Sequence, residues 1–252
     1  MKSVAKPSFD QSVFINCPFD DEYRPLLRAL IFTVLFVGKF PRIASERLDS
    51  GETRIEKIIQ LVVESRFGIH DLSRCAARKE GELFRLNMPL ELGIDLGCRL
   101  KGRKWKDKRC LILETKRYRY QATISDLSNS DIGSHGDKPL RLIECVSSWL
   151  EKEAGAKPNS PTSIWAAFND FLAENYYQLK RLAYTDREIE KLDIIKLKSQ
   201  MIEWLEERDR KTALPMPGRA GFVLSPFSLL SKPIDVGSSK RGAKVKCPYT
   251  GK

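Results

Sequence analysis

The chain has 252 residues, 42% of them hydrophobic and 31% charged, with a formal net charge of +11. There is enough apolar material for a real core, and no apolar run approaches the roughly twenty residues of a bilayer-spanning helix, so a soluble globular protein is expected. Met1 to Asp10 lacks the apolar run of a secretory signal, and six cysteines without paired short spacing argue against a zinc site or a disulfide framework, so a cytoplasmic setting with reduced thiols is expected.

From Ser12 to about Glu153 strand signals alternate with helix signals, the pattern of a parallel sheet with helices on both faces. The first strand is Ser12 to Asn16, broken by Cys17-Pro18-Phe19-Asp20, and a helix follows from about Glu22 to Val37 with Pro25 in its first turn. A weak second strand, Pro41 to Ala44, leads into the loop Ser45 to Gly51. Ile55, Ile58, Ile59 and Val62 then mark an amphipathic helix from Glu52 to Glu64. The third strand, Phe67 to His70, is short and apolar, as a strand buried on both faces should be, and Asp71-Leu72-Ser73 ends it.

After a charged insertion from Cys75 to Arg85, a helix carrying Glu91 runs to about Leu100, and Arg109 to Leu113 forms the fourth strand beyond a polar loop around Trp105. A helix near Tyr118 to Leu127, an extended piece at Asp131 to Ser134 and a helix marked by Leu142, Ile143, Val146, Trp149 and Leu150 complete five strand-helix units. The α/β domain is expected over 11–154. Gly155 to Pro161 reads as a linker to a helical appendage over 160–207, opened by Ser160-Pro161 and continued past a Thr185/Glu188 capping box to Leu205. That pair of helices is too small for a confident core of its own, so it is expected to pack on the domain or on a second copy. The segment 208–252 is rich in Pro, Gly and Ser, and its residues from Asp209 onward carry +7 of the +11 charge, so it is expected to be disordered. Because the basicity is concentrated there, nucleic-acid binding through the tail is possible but not favoured.

Ligands of open parallel sheets bind beyond the carboxyl ends of the strands. That rule selects Asn16, Pro18, Phe19 and Asp20 after the first strand, Glu46 and the Ser50-Gly51-Glu52 turn after the second, His70 and Asp71 after the third, and Asp131 and His135 near the fifth. Glu91 joins them if its helix starts at the same rim. It stands between Leu90 and Leu92 behind Pro89, an odd setting for an acid. No Gly-rich phosphate fingerprint follows the first strand, which excludes a dinucleotide motif and a P-loop. No cofactor or metal is called for.

Three motifs together, Val13-Phe14-Ile15-Asn16-Cys17-Pro18-Phe19-Asp20, His70-Asp71-Leu72-Ser73 and Asn87-Met88-Pro89-Leu90-Glu91-Leu92-Gly93, resemble the nucleoside 2-deoxyribosyltransferase-like superfamily, which shares its flavodoxin-like layout with Toll/interleukin-1 receptor domains. The resemblance spans roughly Val13 to Trp149. It implies Glu91 as nucleophile or oxocarbenium stabiliser at the sugar, Asp71 holding or protonating the departing base, Pro18 and Phe19 lining the base pocket, and Asn87 as the asparagine ahead of the glutamate. Asn16, Asp20, Glu46, Gly51, His70 and Ser73 complete the expected substrate-binding set. It also implies a nucleoside or nucleotide substrate and a homo-oligomer. The charged insertion and the added helices and tail depart from minimal transferases.

Such chemistry needs carboxylates for a physical reason. Breaking a glycosidic C–N bond builds positive charge on the sugar, which an anion beneath the anomeric carbon stabilises or captures, while a second group assists the base. The expected function is therefore cleavage or transfer at the N-glycosidic bond of a nucleoside, nucleotide or NAD-like substrate. The alternative is a non-catalytic nucleotide-sensing module of a bacterial defence or signalling system. Plainer roles stand beside these: a dipole-favoured helix-start glutamate for Glu91, a turn cap for Asp71, internal packing for His70 and a core position for Phe19.

Overall fold

A computed structural model of the chain describes residues 7–74, 86–117, 124–127, 131–210, 213–225 and 232–240, with 243, 245 and 248. The charged insertion 75–85 and most of the helix expected over 118–127 lie outside the described residues. The chain divides into two compact units, Met1–Met201 and Ile202–Lys252.

The first unit is built on five parallel strands, β1 (Ser12–Asn16), β2 (Phe40–Arg42), β3 (Phe67–Asp71), β4 (Arg109–Glu114) and β5 (Ile132–Ser134), in the order β2-β1-β3-β4-β5. This is a flavodoxin-like α/β sheet. β1 and β3 are buried along their whole length, which is why their sequences run apolar rather than alternating. α1 (Arg24–Phe36) and α4 (Pro139–Ala154) pack together, as do α2 (Arg54–Val63) and α3 (Asn87–Lys101). Each α-helix opens where its sequence allows: Pro25 and Pro139 sit in first turns, and Thr53 caps α2 in a reciprocal box with Glu56.

α5 (Pro161–Arg181) packs on α4 and α1 through an aromatic cluster in which the rings of Phe168 and Phe171 lie 5.3 and 5.8 Å from that of Phe32. The second appendage helix is broken in two, α6 (Asp186–Glu190) behind the Thr185/Glu188 box and α7 (Ile194–Arg210). The break falls where Asp193 Oδ1 accepts the backbone N–H groups of Ile195 and Lys196, a local cap that starts a new helix. The expected polar loop at Trp105 is a 3-10 turn, Arg103–Trp105, whose indole N–H donates to the Val63 carbonyl at 3.1 Å. Ser160 ends as an N-cap without a side-chain bond.

At the edge strand β2, Lys198 of α7 donates to the carbonyl of Pro41 at 2.8 Å and to Glu46. Glu46 also takes Arg42 at 2.9 Å, and Arg42 reaches Glu64 at 3.2 Å, so the charges along this edge are mutually compensated.

The second unit corrects the expectation of a disordered tail. Its described residues form a three-stranded antiparallel sheet, β6 (Leu214–Pro215), β7 (Phe222–Leu224) and β8 (Ile234–Asp235), in the order β6-β7-β8. The Pro and Gly content that reads as disorder here makes turns: Gly218 and Gly221 adopt positive φ between β6 and β7, where a side chain would be strained. Among the described residues of the chain, no helix is long and apolar enough to cross a membrane.

Candidate active site at the switch point of the sheet

β1 and β3 are neighbours and the strand order reverses between them, the switch point at which open α/β sheets leave a ligand crevice at the carboxyl ends of the strands. Asn16, Cys17 and Pro18 enter it from β1, and Asp71 and Ser73 from β3. Glu91 enters from the second turn of α3. All six are buried.

Asp71 has no exposed surface. Its Oδ2 accepts the Tyr23 hydroxyl at 2.5 Å and faces His135 Nε2 at 3.0 Å, and its Oδ1 accepts the Ser73 N–H at 2.9 Å. His135 Nδ1 accepts the Asp137 N–H at 3.1 Å, which puts the ring proton on Nε2 and makes that nitrogen the donor to Asp71. Burial alone would raise the Asp71 pKa, yet the hydrogen bonds from His135, Ser73 and Tyr23 outweigh it and hold the carboxyl below its ordinary range. An ionised carboxylate accepting three donors has no proton to give. The geometry thus makes Asp71 the anchor that ties the start of α1 and the loops after β3 and β5 together, rather than a proton source for a departing base.

Ser73 Oγ lies 3.0 Å from His135 Nε2, so a serine, a histidine and an aspartate meet here. They are not a nucleophilic triad. Serine and aspartate share one ring nitrogen instead of taking opposite ones, and Ser73 is fully buried.

A second buried chain runs beneath the crevice. Asn16 Nδ2 donates to the Met88 carbonyl at 2.8 Å, one turn ahead of Glu91, and to His70 Nδ1 at 3.1 Å. That fixes the His70 proton on Nε2, which meets Asp95 Oδ2 at 2.9 Å. Asp95 is paired in turn with Lys108 at 3.1 Å, and Lys108 is held by the carbonyls of Val62 and Ser65. Both Asn16 amide hydrogens are spent on this framework, so Asn16 positions α3 against β1 and β3. His70 packs inside the sheet as its plainer reading has it. Gly68 is explained by the same group: a Cβ there would run into the Asp95 carboxylate and lie 2.8 Å from His70 Nε2. Gly68→Ala is expected to cost about 1–3 kcal/mol in chemical denaturation, and an unchanged midpoint would show that the chain relaxes around the methyl.

Glu91 differs from both carboxylates. It is 5% exposed, and among the described residues it has no hydrogen-bond or ion-pair partner. Burial pushes its pKa up to about 7, with the Arg54 charge at the start of α2 partly opposing the rise. Asp95, four residues on along α3, keeps its carboxyl low because the His70 and Lys108 contacts outweigh its burial. Between the acids sits Cys17, whose thiol is pushed well up by burial and by the charges of Asp71, Glu91 and Asp20, so it stays neutral and is no nucleophile.

The remaining expected residues divide. Asp20 borders the crevice, accepting the Tyr23 N–H at 2.8 Å and Arg74 Nε at 3.3 Å. Pro18 is buried beneath it, and Phe19 stands out at 42% exposure, free to meet a ligand ring. Asn87 lies exposed on the first turn of α3. Glu46 and Gly51 lie elsewhere: Glu46 is spent on Arg42 and Lys198, and Gly51 lines an open depression of about 670 Å³ against the outer face of α2. That depression contains none of the buried acids. Sequence reading passed over Tyr23, Asp95 and Lys108; of these only Asp95 carried a signal, an acid one turn beyond Glu91 on a buried stripe. Comparisons with protein-family models, with curated proteins and with solved structures found no match.

Proposed function

We propose that this protein cleaves or transfers the N-glycosidic bond of a nucleoside, nucleotide or NAD-like substrate, with Glu91 at the sugar, in the manner of the nucleoside 2-deoxyribosyltransferase-like superfamily that its motifs resemble. The observation that carries the reading is Glu91 itself, a buried carboxylate without a hydrogen-bond or ion-pair partner among the described residues, while Asp71 and Asp95 beside it are held by their partners. A largely buried anion interacts strongly with positive charge that develops nearby. The sugar of a breaking glycoside supplies that charge, and the Glu91 carboxylate stabilises it or closes a covalent glycosyl ester that water or a second base then opens. Phe19 offers a ring face to the base. Asp71 holds Tyr23 and His135, and Asn16 holds the turn of α3 ahead of Glu91, so both act by keeping the crevice in shape.

Glu91 must be ionised to act, so turnover should rise as pH increases through about 7. The deciding experiment offers the full chain and Glu91→Gln a panel of nucleosides, 5′-nucleotides and NAD while free base and base exchange are followed. Release or exchange by the unaltered chain, reduced on the order of 10³-fold by Glu91→Gln, is the expected result. No release or exchange from any panel member would overturn it. Saturable binding in both proteins without turnover would instead mark a nucleotide-sensing module.

A further inference from the structure

Away from the crevice, α1, α4, α5 and α6 enclose a cavity of about 270 Å³. Drug-sized ligands occupy pockets of roughly 300–1,000 Å³, so this one suits a molecule of one or two rings. One side is apolar, formed by Trp165, Phe168 and Leu172 of α5. The other carries Arg24 and Arg28 of α1 with Lys191 just after α6, faced by Asp21 and Glu190. Asp21 is already bonded to Arg24 at 2.6 Å. The charged lining is left with one cation in excess.

Arg28 is the unusual member. One terminal nitrogen donates to the carbonyls of Ile189 and Glu190, at 3.2 and 2.7 Å, while its Nε–H is buried with no acceptor among the described residues. Burial, and then the neighbouring Arg24 charge, disfavour the Arg28 cation, with Glu190 compensating in part. Three cations against two carboxylates in the lining favour an anion, and the ring wall opposite favours an aromatic one.

We propose that this cavity is a binding site for a small aromatic carboxylate, its ring against Trp165 and Phe168 and its carboxylate on Arg28 and Arg24. The site is separate from Glu91 and does not depend on the reaction proposed there. The test titrates the full chain with benzoate and indole-3-acetate, followed by tryptophan fluorescence and by ligand-observed NMR, with indole, benzylamine and acetate as controls. Saturable binding of the two aromatic acids over all three controls is expected. Arg28→Met should weaken it about tenfold or more, as loss of a charge-assisted contact does. Leu172→Trp, which fills the cavity without touching the cations, should abolish it and serves if Arg28→Met does not fold. Binding of indole or benzylamine as tight as that of the acids would overturn the proposal. So would affinity unchanged in Leu172→Trp, or no saturable binding of either acid.

Discussion

Glu91→Gln is expected to make the protein more stable at pH 8 while removing the proposed glycosidic activity. In the folded chain the Glu91 carboxyl titrates at about 7, against an ordinary value of 4.5, because burial penalises the charged form. Between those two values the folded state binds the proton and the unfolded state does not, so stability falls as pH rises through that window and the whole penalty is present above pH 7. A neutral amide of the same shape avoids it. The gain should be about 2 kcal/mol at pH 8, a figure reduced from the full linkage value because part of the carboxyl still meets water, and close to zero below pH 4.5, where both states are protonated. Urea denaturation of both proteins at the two pH values measures it. An equal effect at both would mean that Glu91 carries no ionisation penalty and that its burial is ordinary packing. A residue whose removal stabilises the fold and stops turnover is retained for chemistry, not for structure.

Asp71→Asn should do the opposite and more severely, with a loss of about 3–5 kcal/mol at pH 7. The substitution leaves the Tyr23 hydroxyl, the His135 Nε2–H and the Ser73 N–H converging on a fully buried amide that offers one acceptor oxygen and adds donors of its own. Because the Asp71 carboxyl titrates below its ordinary value in the folded state, its contribution is fully present above the unfolded value of about 4 and fades as pH falls through the lower folded one. Tyr23→Phe removes a single donor and should cost about 1–3 kcal/mol. If Asp71→Asn retained the stability of the unaltered chain, the three contacts would not be holding the strand ends together, and a direct role with substrate would return as the better account.

The contrast between these two acids shows what a sequence carries. β1, β3 and β4 are legible because burial on both faces forces apolar runs bounded by abrupt polar ends, and Glu91 is legible because an acid flanked by leucines is out of place on such a surface. The rule that ligands gather at strand carboxyl ends names a whole rim and not a place along it. It therefore includes Glu46 and Gly51 at the edge strand β2 as readily as Asn16 and Asp71 at the switch point. What sets Asp71 apart from Glu91 lies in partners distant in the chain, Tyr23 at 48 residues' separation among them, and no local pattern announces a pairing of that kind. Lys108 is likewise one lysine among many until Asp95 and two carbonyls are found around it. The tail reads as disordered because proline and glycine mark both chains that do not fold and turns between short strands, and only strand pairing separates the two.

The lysine of α7 set on the Pro41 carbonyl bears on how copies of the chain can meet. An edge strand with bare amides and carbonyls is a template on which a neighbouring polypeptide can polymerise. β2 has three residues, one of them a proline without an N–H, and Lys198 occupies that proline's carbonyl. The opposite border, β5, is equally short. Among the described residues neither border of the five-stranded sheet offers a ladder long enough to recruit a foreign strand, so this sheet is guarded against edge-to-edge stacking.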